Sequence, residues 1–503
     1  MKIVIDELMT SSGVQFGTSG VRGLVTEMTD QVCWLYVTAF LQYLKKDNII
    51  QPGDNVGIAG DLRNSSERIM LIVANAVLDF GLVPVNYGFI PSPAIALYGL
   101  HKNMATLMVT GSHIPDDRNG IKFNTPKGEI LKEDELAIRK QSLIIPDGKF
   151  TESGDLAQTY ELSLVCAEAS EHYTHRFIDF FDKNCLQGIR VGVYEHSSVS
   201  RDFLNTILSS LGATVTSLGR SDKFISVDTE AVRPEDVVLA KQWAKLNAFD
   251  CIVSTDGDGD RPLISDEYGN WMRGDIVGIL CAHYLKANVV VTPVSSNTVV
   301  EKSEFFEQVM RTRIGSPYVI AAMEKSEQSL RVVGYEANGG FLQASSIENN
   351  GKYLSPLPTR DAVIVIITIL LLTHEKKLTI SELIKKLPQR FTFSDRLKDF
   401  PTRLSQHRLT DMISGSQDEN FQAIKKQFSF AGDPVLIDTT DGVRIEFDND
   451  DIIHIRPSGN APELRCYTES STEQRAVSLN KLCIYALVQW KKDSVNSKPL
   501  LIS

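Results

Sequence analysis

The sequence has few cysteines, seven in 503 residues. They form an odd, scattered set (Cys33, Cys166, Cys185, Cys251, Cys281, Cys466, Cys483) without a C-x-x-C pair. That spacing argues against a disulfide framework or a zinc site and predicts reduced, buried thiols. Long apolar runs are also missing. The longest, Ala362 to Leu372 (AVIVIITILLL), is about half of a membrane span and reads as a buried helix. The first residues, MKIVIDELMTSS, carry acids where a secretory signal would be unbroken apolar chain, so a cytoplasmic protein without a membrane partner is expected. No Lys/Arg block is dense enough to follow a phosphate backbone. With 52 basic against 63 acidic residues and a net charge of -11, nucleic acid is a poor partner. A G-x-S-x-G elbow is absent too, so the neighbouring Ser112 and His113 do not announce a serine hydrolase.

What is present is ordinary globular composition, 43 % hydrophobic with 33 Gly and 19 Pro, on a chain too long for one core; roughly three to five domains are expected. A strand–helix–strand pattern recurs. Val56 to Asp61, a helix over Ser66 to Leu78 and GLVPVNYG (81–88) give the first copy. RVGVY (190–194), a helix over Ser200 to Leu211 and GATVTSLG (212–219) give the second. NVVVT (288–292), leading into a helix that ends near Arg311, gives a weaker third. Parallel strands joined by crossover helices are implied. A later strand in each copy runs into a loop of Gly and reactive side chains: ATLMVT into GSHIP (111–115), CIVST into DGDGDR (256–261), RVVGY into EANGG (336–340). Ligands of open α/β sheets bind beyond the carboxyl ends of strands, so three such loops can converge on one cleft. Beyond about residue 390, polar connecting segments lead to short strands, VLIDTTDGVRIEF and DIIHIRP, and a helix from about Thr472 to Trp490. This reads as a separate α+β domain.

Asp256, Asp258 and Asp260 alternate with Gly257 and Gly259, so three carboxylates can turn to one point as hard ligands for Mg²⁺. An EF-hand is excluded because Arg261 stands where its turn glycine must be and a strand precedes the loop. Ser112 in its Gly-flexible turn reads, by itself, as a turn residue more than as a nucleophile. Arg456, Ser458, Gly459 and Asn460, with Arg465 nearby, combine a guanidinium fork, a hydroxyl and an amide in a phosphate-cradle composition, or a turn capping a helix. FGTSGVRG (16–23) is another small-residue loop, carrying Arg22.

Taken in order, FGTSGVRG, TGSHIP…NGIKF (110–123), DGDGDR, GYEANGG (334–340) and RPSGNAPELR (456–465) resemble the α-D-phosphohexomutase family over nearly the whole chain. The resemblance implies four domains around a central cleft: three similar α/β units with mixed, mainly parallel sheets and a smaller α+β domain, divided at 1–155, 156–262, 263–388 and 389–503. It implies phosphoryl transfer between the 1 and 6 positions of a hexose phosphate, mannose first, through a phosphoserine at Ser112 and a hexose 1,6-bisphosphate. Ser112, Asp256, Asp258 and Asp260 match the Mg²⁺ site, and Arg261, Lys122 and His113 the catalytic neighbours, with Lys122 the expected general base. Glu336 and Asn338 match the sugar-reading loop, and Arg456, Ser458, Gly459, Asn460 and Arg465 the substrate-phosphate loop, with Arg22 in the same cleft.

Two motifs depart from the family pattern. Gly111 and Ile114 stand where many relatives have Ala and Asn, and Asn338 and Gly340 where Ser and His are usual. On the sequence, Asn338 can donate one hydrogen bond to the sugar and accept another, and the missing histidine leaves space. Glucose or glucosamine phosphates, a catalytically silent sugar-phosphate binder and a Mg²⁺-dependent phosphatase are the alternative readings, and the expected assembly is a monomer or homodimer.

Overall fold

The computed structural model describes residues 2–158, 160–327, 329–458 and 462–496. They fall into two compact units, one of 1–291 with 315–384, the other of 292–314 with 385–503.

In the first unit the amino-terminal sheet runs in the order Gln15–Phe16, Gly20–Leu24, Arg118–Thr125, Thr106–Val109, Asn55–Gly60, Val83–Phe89. The last three strands are parallel, and Arg118–Thr125 returns antiparallel to Thr106–Val109. The second sheet repeats this plan. Thr214–Leu218, Arg190–Tyr194 and Cys251–Thr255 are parallel, and Pro262–Ile264 returns antiparallel to Cys251–Thr255. In the third, Val289 to Val291 pairs parallel with Val332–Tyr335, and Phe341–Gln343 returns antiparallel. Each return stroke leaves a loop at the carboxyl end of a parallel strand. Those three loops hold Ser112, the aspartates and Glu336, so the repeated sheet plan places the three motifs in equivalent positions.

The helices Asp30–Lys46 and Ser66–Asp79 pack on the first sheet in a core that includes Phe40, Ile58, Val73, Leu107 and Phe123. The apolar run is a helix, Ala362–Lys376, whose residues from Ala362 to Leu372 are all buried. Asp361 caps its start by accepting from the Val363 amide, and Lys377 ends it in a left-handed conformation (φ 54°). All seven cysteines are free; Cys166 and Cys185 are only half-buried.

The second unit centres on a five-stranded antiparallel sheet ordered Phe391–Leu397, Leu464–Ser470, Ile452–Pro457, Val443–Phe447, Pro434–Asp438, with the helix Glu473–Asn496 following. The stretch expected as polar connection forms two helices, Thr402–Ile413 and Gln417–Gln427; a Ser416/Glu419 capping box starts the second. The expected helix ending near Arg311 is corrected. Helix Val299–Lys302 stops after one turn, Glu304 reverses the chain (φ 55°), and Gln308–Thr312 is a strand. Two β-branched valines open the helix, and Arg311 is anchored by the carbonyls of Pro293 (2.9 Å) and Ser296 (2.7 Å).

Candidate active site

The serine loop is wound around one arginine. Arg63, fully buried, donates to Asp61 (3.1 Å) and to the carbonyls of Ser112 (2.9 Å), Ile114 (2.6 Å), Pro115 (2.7 Å) and Arg118 (3.0 Å). Its guanidinium lies over the Phe224 ring at 4.0 Å. A Cβ at Gly111 would stand 2.6 Å from that guanidinium carbon, so the pinned arginine accounts for glycine here. Ser112 is buried in a left-handed conformation (φ 53°), its amide donating to Thr110 Oγ1 (2.7 Å). Its Oγ donates to Asp256 Oδ2 at 2.6 Å and lies 3.3 Å from His113 Nδ1.

The buried carboxylates of Asp256, Asp258 and Asp260 offer oxygens within 4.8 Å of one another. Close packing fixes the loop. A Cβ at Gly257 would lie 2.9 Å from the Ser112 carbonyl oxygen; at Gly259 (φ 74°) it would lie 1.9 Å from Ser200 Oγ. Lys122 Nζ donates to Asp258 (2.6 Å), Asp260 (2.7 Å) and Ser92 Oγ (3.2 Å), and Arg360 Nε to Asp260 (3.0 Å). Asp258 Oδ1 and Asp260 Oδ1 have no hydrogen-bond partner among the described residues. Two buried carboxylate oxygens without a hydrogen bond, one of them 3.7 Å from Arg261 Nε, beside a third carboxylate fit a hard divalent cation, so the triad is able to hold a metal ion. Burial, with Asp258 and Asp260 alongside, pushes the Asp256 carboxyl well above the usual range. Burial acts the same way on Asp260, but Arg360, Lys122 and Arg261 overcome it and hold Asp260 far below that range.

Lys122 spends all three of its N–H donors. In this arrangement it is an ammonium without a lone pair, and the expectation of a general base there is replaced by that of a counter-charge. Arg261 Nη1 donates to His113 Nδ1 at 2.9 Å. Burial and then the Arg261 charge push the imidazole down to about 3, so His113 is neutral, with its proton on Nε2.

In the loop expected to read the sugar, Glu336 and Asn338 are buried, and Glu336 Oε2 accepts from Arg360 Nη1 (3.3 Å). Two expectations are corrected here. Asn338 Oδ1 is committed to the Gly340 amide (2.9 Å), leaving its amino group as the free polar end. The space beside Gly340 is filled: a Cβ there would stand 2.5 Å from Arg360 Cδ. Arg22, on the Gly20–Leu24 strand and in register with Gly120, is half-buried. Burial, then Arg261 and Arg360, depress it to about 10, a mark of how many cations share this cavity.

Sequence reasoning missed Arg63, Ser92 and Arg360. Arg63 had a signal, Asp61-x-Arg63 at the end of the first parallel strand. Arg360 had a weaker one, a basic residue just ahead of a wholly apolar helix.

In the second unit Arg456 faces Arg465 across one strand pair, and Arg465 faces Arg396 across the next. Three guanidinium side chains thus share one row, partly offset by Asp441 on Arg456 (2.9 Å) and Glu463 near Arg396 (3.5 Å) and Arg465 (3.8 Å). The Ser458 amide donates to the Glu463 carbonyl (2.8 Å); Gly459 and Asn460 lie outside the described residues.

Models of the phosphoglucomutase/phosphomannomutase family match in chain order: α/β/α domain I over residues 13–144, domain II over 171–269, domain III over 273–391 and the C-terminal domain over 411–481. A phosphomannomutase of Salmonella muenchen is 44 % identical over 94 % of this chain and 95 % of its own. One of Sinorhizobium fredii is 43 % identical over 93 % and 97 %. Among solved structures, a phosphoglucomutase/phosphomannomutase family protein of Burkholderia thailandensis superposes with a TM-score of 0.72 at 16 % identity, covering 94 % of this chain and 97 % of that one. The Aspergillus fumigatus N-acetylphosphoglucosamine mutase in complex with GlcNAc-6P and magnesium gives 0.60 at 12 % identity, covering 97 % and 99 %. No helix among the described residues is long and apolar enough to cross a membrane.

Proposed function

The chain belongs to the phosphoglucomutase/phosphomannomutase family and is a phosphohexomutase; from that premise we propose that it interconverts mannose 1-phosphate and mannose 6-phosphate through a phosphoserine at Ser112 and a hexose 1,6-bisphosphate. The observation that carries this reading is the 2.6 Å contact of Ser112 Oγ with the buried aspartate triad. The choice of mannose rests on two relatives that are 44 % and 43 % identical, both phosphomannomutases.

A phosphoserine would bring about -1.5 to -2 charges to a triad already faced by Lys122, Arg261 and Arg360. Mg²⁺, for which Asp256, Asp258, Asp260 and an oxygen at Ser112 are the proposed ligands, would supply the remaining neutralisation when bound. Transfer breaks the P–O bond to Ser112 and forms one to the free sugar hydroxyl, whose proton ends on Ser112 Oγ. Arg261, held by neutral His113, and Lys122 supply fixed positive charge where the phosphoryl oxygens gather, so positioning and electrostatics carry the step. Glu336 accepts from sugar hydroxyls, and the Asn338 amino group donates. Arg456, Ser458 and Arg465, with Gly459 and Asn460, hold the phosphate that is not reacting, and Arg22 adds charge for the reacting one.

We keep the four-domain division with its second limit carried past Ile264, because Pro262–Ile264 completes a hairpin with Cys251–Thr255. A cytoplasmic setting suits these sugar phosphates. The test is the rate of isomerisation of mannose, glucose and glucosamine 1-phosphates by the purified chain. Mannose should be fastest; preference for glucosamine would overturn the substrate assignment. Released inorganic phosphate would indicate hydrolysis instead, and no turnover a silent binder.

A further inference from the structure

Arg360 touches both the metal loop and the loop that carries Glu336. Its Nε donates to Asp260 Oδ2 at 3.0 Å, its Nη1 to Glu336 Oε2 at 3.3 Å and to Ser316 Oγ at 3.1 Å, and its Nη2 stands 3.9 Å from Glu129. The residues beside it are tied down equally firmly. Thr359 Oγ1 donates to Glu129, Tyr173 OH donates to Asp361 at 2.8 Å, and Asp361 caps the apolar helix. The guanidinium is therefore held from behind by a tripeptide that joins the first, second and third sheets' domains. Its stem also occupies the volume beside Gly340, so any side chain at that position would collide with it.

We propose that Arg360 is the positioning residue for sugar recognition: its planar fork fixes the Glu336 carboxylate in the orientation that reads the hexose and couples that loop to the metal loop through Asp260. The inference rests on the phosphohexomutase reading of this site. Only a bidentate, rigid cation satisfies both carboxylates at once. An ammonium is a point charge and would settle on one of them, Asp260, whose attraction for the cation at this position is the largest. The same charge opposes a divalent cation in the aspartate triad, because the guanidinium on Asp260 Oδ2 already offsets part of the carboxylate charge and repels a cation at the neighbouring Oδ1. Arg360 thus has opposite effects on the two ligands. It helps the sugar and hinders the metal, which a residue serving only to hold the fold together would not do.

The experiment compares wild type, Arg360→Lys and Arg360→Met as full-length chains, by Mn²⁺ titration calorimetry without substrate and by KM and kcat for hexose 1-phosphate. Glu336 contacts are made in ground and transition states alike, so loss of its orientation should raise KM about tenfold in both variants with a much smaller change in kcat. Arg360→Met should bind Mn²⁺ more tightly than wild type, while Arg360→Lys, which keeps the charge, should bind it as wild type does. If KM stays within about twofold of wild type, or if KM and the Mn²⁺ dissociation constant rise together in either variant, the positioning role is wrong. Should Arg360→Met fail to fold, Arg360→Lys decides alone, through raised KM with unchanged Mn²⁺ affinity. A wild-type chain without mutase turnover would sink the functional reading instead, a separate outcome.

Discussion

Replacing Arg63 with Met should release the serine loop while leaving the rest of the first sheet folded. Arg63 pairs with buried Asp61 and donates to four backbone carbonyls between Ser112 and Arg118. Burial already raises the Asp61 carboxyl, and Arg63 is the largest opposing influence. Met keeps much of the stem volume but removes the counter-charge of a buried carboxylate, which keeps only the Ser66 and Thr110 hydroxyls and backbone amides, and takes one donor from each of four carbonyls. Breaking a buried pair in this way costs about 3–5 kcal/mol; at about 1.4 kcal/mol per tenfold, opening of residues 110–118 should become roughly a thousandfold more frequent. Hydrogen exchange of that segment measures the effect directly, since local opening is read amide by amide. Turnover should collapse with it, because Ser112 loses its fixed geometry. Arg63→Lys should fall between the two, keeping the charge and losing the fork. If exchange of 110–118 in Arg63→Met matches wild type, or turnover persists, the loop is not built on this arginine.

Ser112→Ala should abolish turnover at little cost to folding, and Ser112→Gly, which suits the φ of 53°, should be equally inactive and at least as stable by thermal melting. Asp258→Asn should weaken metal binding by calorimetry, and excess chelator should stop turnover; full activity in chelator would exclude the aspartate site. Gly257→Ala places a methyl 2.9 Å from the Ser112 carbonyl oxygen; displacement of the serine should lower kcat by about ten- to a hundredfold with an unchanged melting temperature. His454 donates from Nε2 to the Asp441 carbonyl (2.6 Å), and burial pushes it down to about 4. The unfolded chain takes up a proton near pH 6.5 and the folded one does not. Stability of the second unit should therefore be full above about pH 6.5 and fall by about 3 kcal/mol toward pH 4, a slope that His454→Gln should flatten in urea titrations.

Much of the site was legible because its chemistry lies in short segments. The three strand-to-loop junctions could be read from short apolar runs leading into loops of Gly and reactive side chains, and Asp256, Asp258, Asp260, Ser112 and Lys122 do meet. What stayed hidden depends on contacts distant in sequence. Arg360 meets Asp260 across 100 positions, and Arg63 meets Ser112 across 49. No local pattern announces such pairs. The protonation of Lys122 follows from its having three acceptors at once, which needs coordinates rather than a motif. The helix near 299–311 was misjudged for a different reason: Glu304 in a left-handed conformation carries no glycine or asparagine signal.

Phosphopeptide mapping after incubation with hexose 1,6-bisphosphate tests the central claim most directly. Phosphate should appear on Ser112 alone and be discharged on adding unlabelled hexose 1-phosphate, at a rate that matches turnover. Sustained turnover with Ser112 unmodified, or label on another residue, would contradict it.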